Sequence, residues 1–192
     1  MEHILRAAAI LAAISVREYV KALCSVYFGD TTPKEQGRLT LNPITHLEPI
    51  GFILMFFFGF GWGKPLETNP YRYKDRKKGT IAVHTLPSVF NVIIGISISF
   101  SVFMLVGSGI SPFIIMFLNF FALYNVSLAL FNIIPIPPLD GAKVLTLFLS
   151  PNNRIRYSSY EKILQIVLIF LLIIGVISSL FQPLIRSILV IW

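Results

Sequence analysis

Arg17, Glu18 and Lys21 stand in the middle of an otherwise apolar stretch, Ile4 to Phe28. Charge at that depth in a segment of membrane-spanning length is costly and marks a functional hypothesis. Residues i and i+4 share a helix face, so Arg17 and Lys21 point the same way, with Glu18 about a quarter-turn round. Such a set can relay protons, form an internal ion cluster, or make a polar stripe turned toward partner helices. A further charge, Asp140, closes the run Asn132-Ile133-Ile134-Pro135-Ile136-Pro137-Pro138-Leu139-Asp140-Gly141. Its three prolines unwind a helix and free carbonyls, which a membrane tolerates only where protein or a cavity satisfies them. Asp140 is thus either a site residue or an interfacial cap on the helix that follows.

The elements that must position these charges are apolar. Of 192 residues, 55% are hydrophobic and 13% charged, and the mean hydropathy is +0.77. A soluble domain carries about a quarter charged residues. The deficit excludes a disordered chain, a disulfide scaffold and an ordinary cytosolic enzyme, and it points to an integral membrane protein. The single cysteine, Cys24, has no intrachain partner. The net charge of +7 is read as loop charge on the cytoplasmic side of a membrane, not as a nucleic-acid surface.

Four stretches, about 4–28, 83–106, 112–136 and 163–180, are long enough to cross about 30 Å of hydrocarbon as helices. The stretch Ile50 to Trp62 is short for a span and ends among glycines, so it is expected to be re-entrant or interfacial, with a spanning segment the alternative. Arg38, Leu39, Thr40 and Leu41 alternate in polarity and predict a short strand that Asn42-Pro43 ends. The expected fold is therefore an all-α membrane protein in one domain, residues 1–192. It has about four transmembrane helices and a re-entrant loop with a short β region, about 29–63, between the first two. Loop 64–79 carries Lys64, Arg72, Lys74, Arg76, Lys77 and Lys78 against Glu67 and Asp75, and loop 142–162 carries Lys143, Arg154, Arg156 and Lys162 against Glu161. Both are expected on the cytoplasmic side of a bacterial-type plasma membrane, with the C-terminus outside.

The order of motifs resembles the site-2 protease family of intramembrane zinc metalloproteases, peptidase family M50. Gly29-Asp30-Thr31-Thr32-Pro33-Lys34-Glu35-Gln36-Gly37-Arg38-Leu39-Thr40-Leu41-Asn42-Pro43-Ile44-Thr45-His46 matches the stretch that follows the family's zinc helix. Gly59 to Pro65 and Asn69-Pro70 come next, and Asn132 to Gly141 matches N-x-x-P-x-P-P-L-D-G. The resemblance covers roughly residues 10–145. It implies that Glu18 is the family's general base and Asp140 its third zinc ligand. It also implies that Asn91, Asn132, Pro135, Pro137, Gly141 and His46 form or support the substrate groove, where an edge strand would pair with an extended substrate. It further implies that the first span runs inward, so both termini lie outside.

The departure lies at the zinc motif itself. The family's H-E-x-x-H aligns with Arg17-Glu18-Tyr19-Val20-Lys21, so both histidine ligands are replaced. Arginine has no lone pair for a metal, and lysine would first have to lose its proton. Leu86-Pro87-Ser88 also departs from the family's usual Gly-Pro, while Asn91 is retained. Three histidines exist: His3 is terminal, His84 opens the second span and reads as interfacial, and His46 is not a ligand in the family. Cys24 lies two turns beyond Arg17, too far to share an ion with it.

The expected function is that of a pseudoprotease, an inactive family member that binds or shields transmembrane segments or partners an active protease. No cofactor is expected. The alternatives are an active zinc-dependent protease cleaving membrane-anchored regulators, and a proton or ion relay. Expected partners are membrane lipid and transmembrane segments of client proteins, or an active protease, with no nucleic acid. No PDZ or CBS domain fits in this length. Arg17 or Lys21 is expected to contact Asp140, so that an ion cluster does structurally what the metal would do.

Overall fold

The computed structural model describes residues 1–189, and the expected position of the C-terminus lies outside them. The first helix, α1 (Glu2–Tyr27), buries Ala9, Ile10, Ala13, Ile14, Arg17, Glu18, Lys21, Ala22 and Ser25. That set is one helical face. Small residues bring α1 close to its neighbours, and the three charges share the inward stripe. Glu2, Arg6, Arg17, Glu18 and Lys21 set α1 apart from a plain apolar span, although 26 residues rise about 39 Å.

A loop region follows. Two single-turn helices, α2 (Thr32–Glu35) and α3 (Pro43–His46), precede α4 (Pro49–Phe58). At 10 residues, α4 rises only about 15 Å, half of what a span needs. It ends at Gly59 in the left-handed conformation. The chain then folds back on its first turn: a Cβ on Gly51 would collide with the Trp62 carbonyl, and one on Gly61 with the Gly51 carbonyl. Bare backbone at both positions permits that return.

The expected strand at Arg38–Leu41 does not form, and no strand occurs among the described residues. The alternation has another cause. The Arg38 guanidinium turns inward and donates to the Lys64 carbonyl at 2.8 Å.

A 3-10 turn at Pro70–Arg72 leads to α5 (Arg76–Leu105), capped by Asp75, which accepts from the Lys78 amide at 2.9 Å. A tight turn joins it to α6 (Pro112–Asn132). Both are long and apolar enough to cross a membrane. Helix α6 stops short of the expected residue 136, because Pro135 disfavours helix at the residue before it. Helices α1, α5 and α6 pack on one another and form the centre of the molecule.

After α6 the chain continues in α7 (Asp140–Thr146), α8 (Pro151–Ser159), α9 (Glu161–Ile173) and α10 (Val176–Ile188). The expected fourth span, 163–180, is not one straight helix. Gly175 adopts a left-handed conformation, and α9 and α10 meet at 65°. Together they satisfy the length and composition of one broken span. The described chain is thus all-helical, with two helices of spanning character and a third made of two pieces.

The candidate ion centre

The polar residues of α5 define the site's second wall. Thr80, His84, Ser88, Asn91, Gly95 and Ser99 are buried at i, i+4, i+8, i+11, i+15 and i+19. They make one inward stripe along a mostly apolar helix. Opposite, α7 begins at Asp140. Gly141 lets that turn sit against the end of α6, since a Cβ there would strike the carbonyls of Ile133 and Ile134. The Pro137–Pro138 bond is cis, and the Pro135 carbonyl accepts from the Tyr157 hydroxyl at 2.8 Å.

Asp140 is 2% exposed and is surrounded by donors. One carboxylate oxygen accepts from the Arg17 guanidinium. The other accepts from Lys21 Nζ at 2.5 Å and from His84 Nδ1 at 2.8 Å. A carboxylate only accepts, so His84 carries its proton on Nδ1. The second arm of Arg17 donates to Ser88 Oγ at 3.2 Å. Glu18 is buried beside the cluster, its Oε1 3.9 Å from Arg17 Nε, while Glu18 Oε2 has no hydrogen-bond partner. Arg17 and Lys21 thus face Glu18 and Asp140, two cations against two anions.

The structure therefore brings Arg17, Glu18, Lys21 and Asp140 together. It adds His84 and Ser88, which the sequence reading left out. His84 is 5% exposed: α5 begins at Arg76 and carries it two turns into the helix, where its ring turns inward to Asp140. Its spacing from Ser88 and Asn91 was the available signal. Asn91 is fully buried, and neither of its amide atoms has a hydrogen-bond partner. Asn132 donates to the Leu128 carbonyl at 2.9 Å. A cavity of about 350 Å³ opens beside the cluster, lined by His84, Ser88, Val89, Val92, Asn132 and Ile133 among others.

His46 lies elsewhere. It is fully buried in the loop region, and its Nε2 donates to the Thr40 carbonyl at 2.7 Å. Its Nδ1 lies 3.4 Å from Arg38 Nη2, which leaves the neutral tautomer the one that fits. Burial holds its pKa below the usual histidine value. Asp30 is the loop's other hub: it accepts from Ser25 Oγ, Thr32 N and Asn69 N at 3.0, 3.0 and 2.7 Å. It ties the end of α1 to the Asn69-Pro70 turn, a role the motif spacing alone did not assign.

A catalytic zinc site uses three protein ligands drawn from His, Cys, Asp and Glu. These residues do not fit one. No group of three such side chains close enough to hold a metal occurs among the described residues. Asp140 already has a cation or a donor on each oxygen, and neither a guanidinium nor an ammonium offers a lone pair.

A model of peptidase family M50 matches residues 43–175. The match takes in Asn91 and Asp140 and begins after α1. A protein of Bacillus subtilis (strain 168), described as "Putative zinc metalloprotease YwhC", is 31% identical over 184 residues, covering 93% of this chain and 84% of that protein. No solved structure matches.

Proposed function

The chain belongs to peptidase family M50, and from that premise we propose that it is a pseudoprotease of the membrane. The observation that carries the reading is the pairing of Arg17 and Lys21 with Asp140. Two cations stand where the resemblance expects metal ligands, and they neutralise the carboxylate that would otherwise help to hold the metal. Glu18 then serves charge balance, since it has no activated water to deprotonate. What remains is a helical scaffold with an apolar cavity next to the cluster. That cavity can seat part of an unwound transmembrane segment, either of a client or of an active protease.

The same reading places four crossings in the membrane, by α1, α5, α6 and the α9–α10 pair, with α4 re-entrant and loops 64–79 and 142–162 cytoplasmic. The length of α4 and the loop charges support it. Cysteines introduced near Gly37 and near Lys74 are expected to label from the same side. Labelling from opposite sides would remove the four-crossing topology.

Metal content tests the functional reading. The purified protein is expected to contain no stoichiometric zinc and to leave membrane substrates uncut. The double variant Arg17→His, Lys21→His supplies two neutral ligands beside Asp140 and is expected to gain zinc. The Bacillus relative's description as a zinc metalloprotease favours a second reading, an active protease. Stoichiometric zinc in the unaltered protein, lost on Asp140→Ala, would establish that second reading in place of the first.

A further inference from the structure

A second cavity, of about 510 Å³, lies between the 65–70 segment, the first turns of α5, the outer face of α7, and α8. Its wall carries Arg76, Lys143 and Arg154 against one carboxylate, Glu67. None of the three cations is paired with a carboxylate among the described residues. Glu67 is engaged elsewhere, accepting from Gln36 Nε2 at 2.7 Å. Arg154 is fixed by its Nε, which donates to the Thr146 carbonyl at 3.0 Å. Arg76 is held over the Tyr71 ring at 4.5 Å. Thr80 and His84 line the inner end. Three like charges from three separate helices therefore converge on one concave space with one carboxylate, Glu67, among them, so the cations outnumber the anion three to one.

We propose that this cavity is a binding site for a phosphate-bearing anion. A phosphate offers several acceptor oxygens around a tetrahedral centre, and a monoester or polyphosphate also more than one charge, which suits arginines and a lysine converging from different sides. A carboxylate offers only two coplanar oxygens and meets donors from fewer directions. The cavity also lies where the apolar run of α5 begins, at Ile81, one turn beyond Arg76. That is the level at which a lipid headgroup meets a basic pocket between helices. Two sources share the chemistry: the headgroup of an anionic lipid and a soluble phosphate. The site touches the ion centre through His84, which lines the cavity and holds Asp140. An occupant there is therefore adjacent to the cluster without being part of it.

The test uses the full-length purified protein. In detergent, binding of inorganic tripolyphosphate is measured by calorimetry. In parallel, protein from nanodiscs of phosphatidylcholine, with and without phosphatidylglycerol, is assayed for co-purifying lipid by native mass spectrometry. Three proteins are compared: wild type, Arg76→Gln with Lys143→Gln, and a surface control of Lys74→Gln with Lys77→Gln. The altered side chains are exposed, so folding is preserved, and a thermal melt checks it. The cavity variant is expected to lose about tenfold in affinity per cation removed, or the corresponding share of bound lipid. The control is expected to retain both. Loss in the tripolyphosphate arm assigns a soluble phosphate, and loss confined to phosphatidylglycerol assigns a lipid headgroup. Equal binding by wild type and cavity variant in both arms overturns the site. So does an equal loss in the control, because diffuse surface charge then explains the binding.

Discussion

Two arginine–carboxylate pairs in this molecule have the same chemistry and opposite surroundings. Arg17 meets Asp140 with side chains 1% and 3% exposed, and Arg72 meets Glu35 at 2.8 Å with side chains 45% and 55% exposed. Each joins segments distant in sequence. In water the outer pair exchanges one set of hydrogen bonds for another, and screening removes most of the rest. In the helical interior, every charge has lost its hydration and depends on its partners. The inner cluster is therefore a constraint more than a source of stability. Its members are cheap together and costly apart.

The largest effect follows from separating them. Asp140→Ala leaves Arg17 and Lys21 buried without their anion and is expected to cost about 3–5 kcal/mol. Replacing Arg17, Glu18, Lys21 and Asp140 together by Leu removes all four charges and is expected to cost less than the single change. Unfolding in mixed detergent measures both. A quadruple variant at least as unstable as Asp140→Ala would break the comparison.

Next comes the backbone contact that sets Asp140 in place. Gly141→Ala pushes a methyl group against two carbonyls at the end of α6, and overpacking of that kind costs about 1–3 kcal/mol. The same unfolding assay should show that loss, with α7 exchanging amide protons faster than in the parent.

A smaller effect concerns the loop region. His46 has its pKa lowered by burial from the ordinary 6.5. The unfolded chain therefore binds a proton at a pH where the folded loop does not. The stability that His46 contributes is present above about pH 6.5 and falls as the pH drops below it. His46→Gln should flatten that slope in unfolding midpoints taken from pH 7.5 to 5. An unchanged slope would place the acid sensitivity elsewhere.

The smallest effect sharpens the comparison from its outer end. Arg72→Ala removes the exposed pair and is expected to leave the unfolding midpoint within experimental error.

Much of the ion centre was legible in the sequence because its logic is local and arithmetical. Arg17 and Lys21 at i and i+4 must share a face, and charges in an apolar helix must turn inward. Asp140 followed from a motif, and opposite charges in a low-dielectric interior must meet. His84 was not legible from its neighbourhood. Whether a histidine near the start of a helix turns inward to a carboxylate depends on where that helix begins, and Asp75 sets that point by capping α5. The alternation at Arg38–Leu41 misled for a related reason. A strand needs a neighbour, and the tertiary fold gives the Arg38 guanidinium a carbonyl instead.

The sequence by itself determined the membrane character, the two long apolar helices, the shortness of α4 and the absence of histidine from the Arg17–Lys21 turn. These depend on composition, length and residue type, which no fold can alter. Only the tertiary structure decided that Asp140 receives Arg17, Lys21 and His84 at once, that Ser88 takes the second arm of Arg17, and that α9 and α10 bend at Gly175. Each of those depends on residues far apart in the chain, or on one backbone conformation, and packing selects among arrangements that local sequence leaves equal.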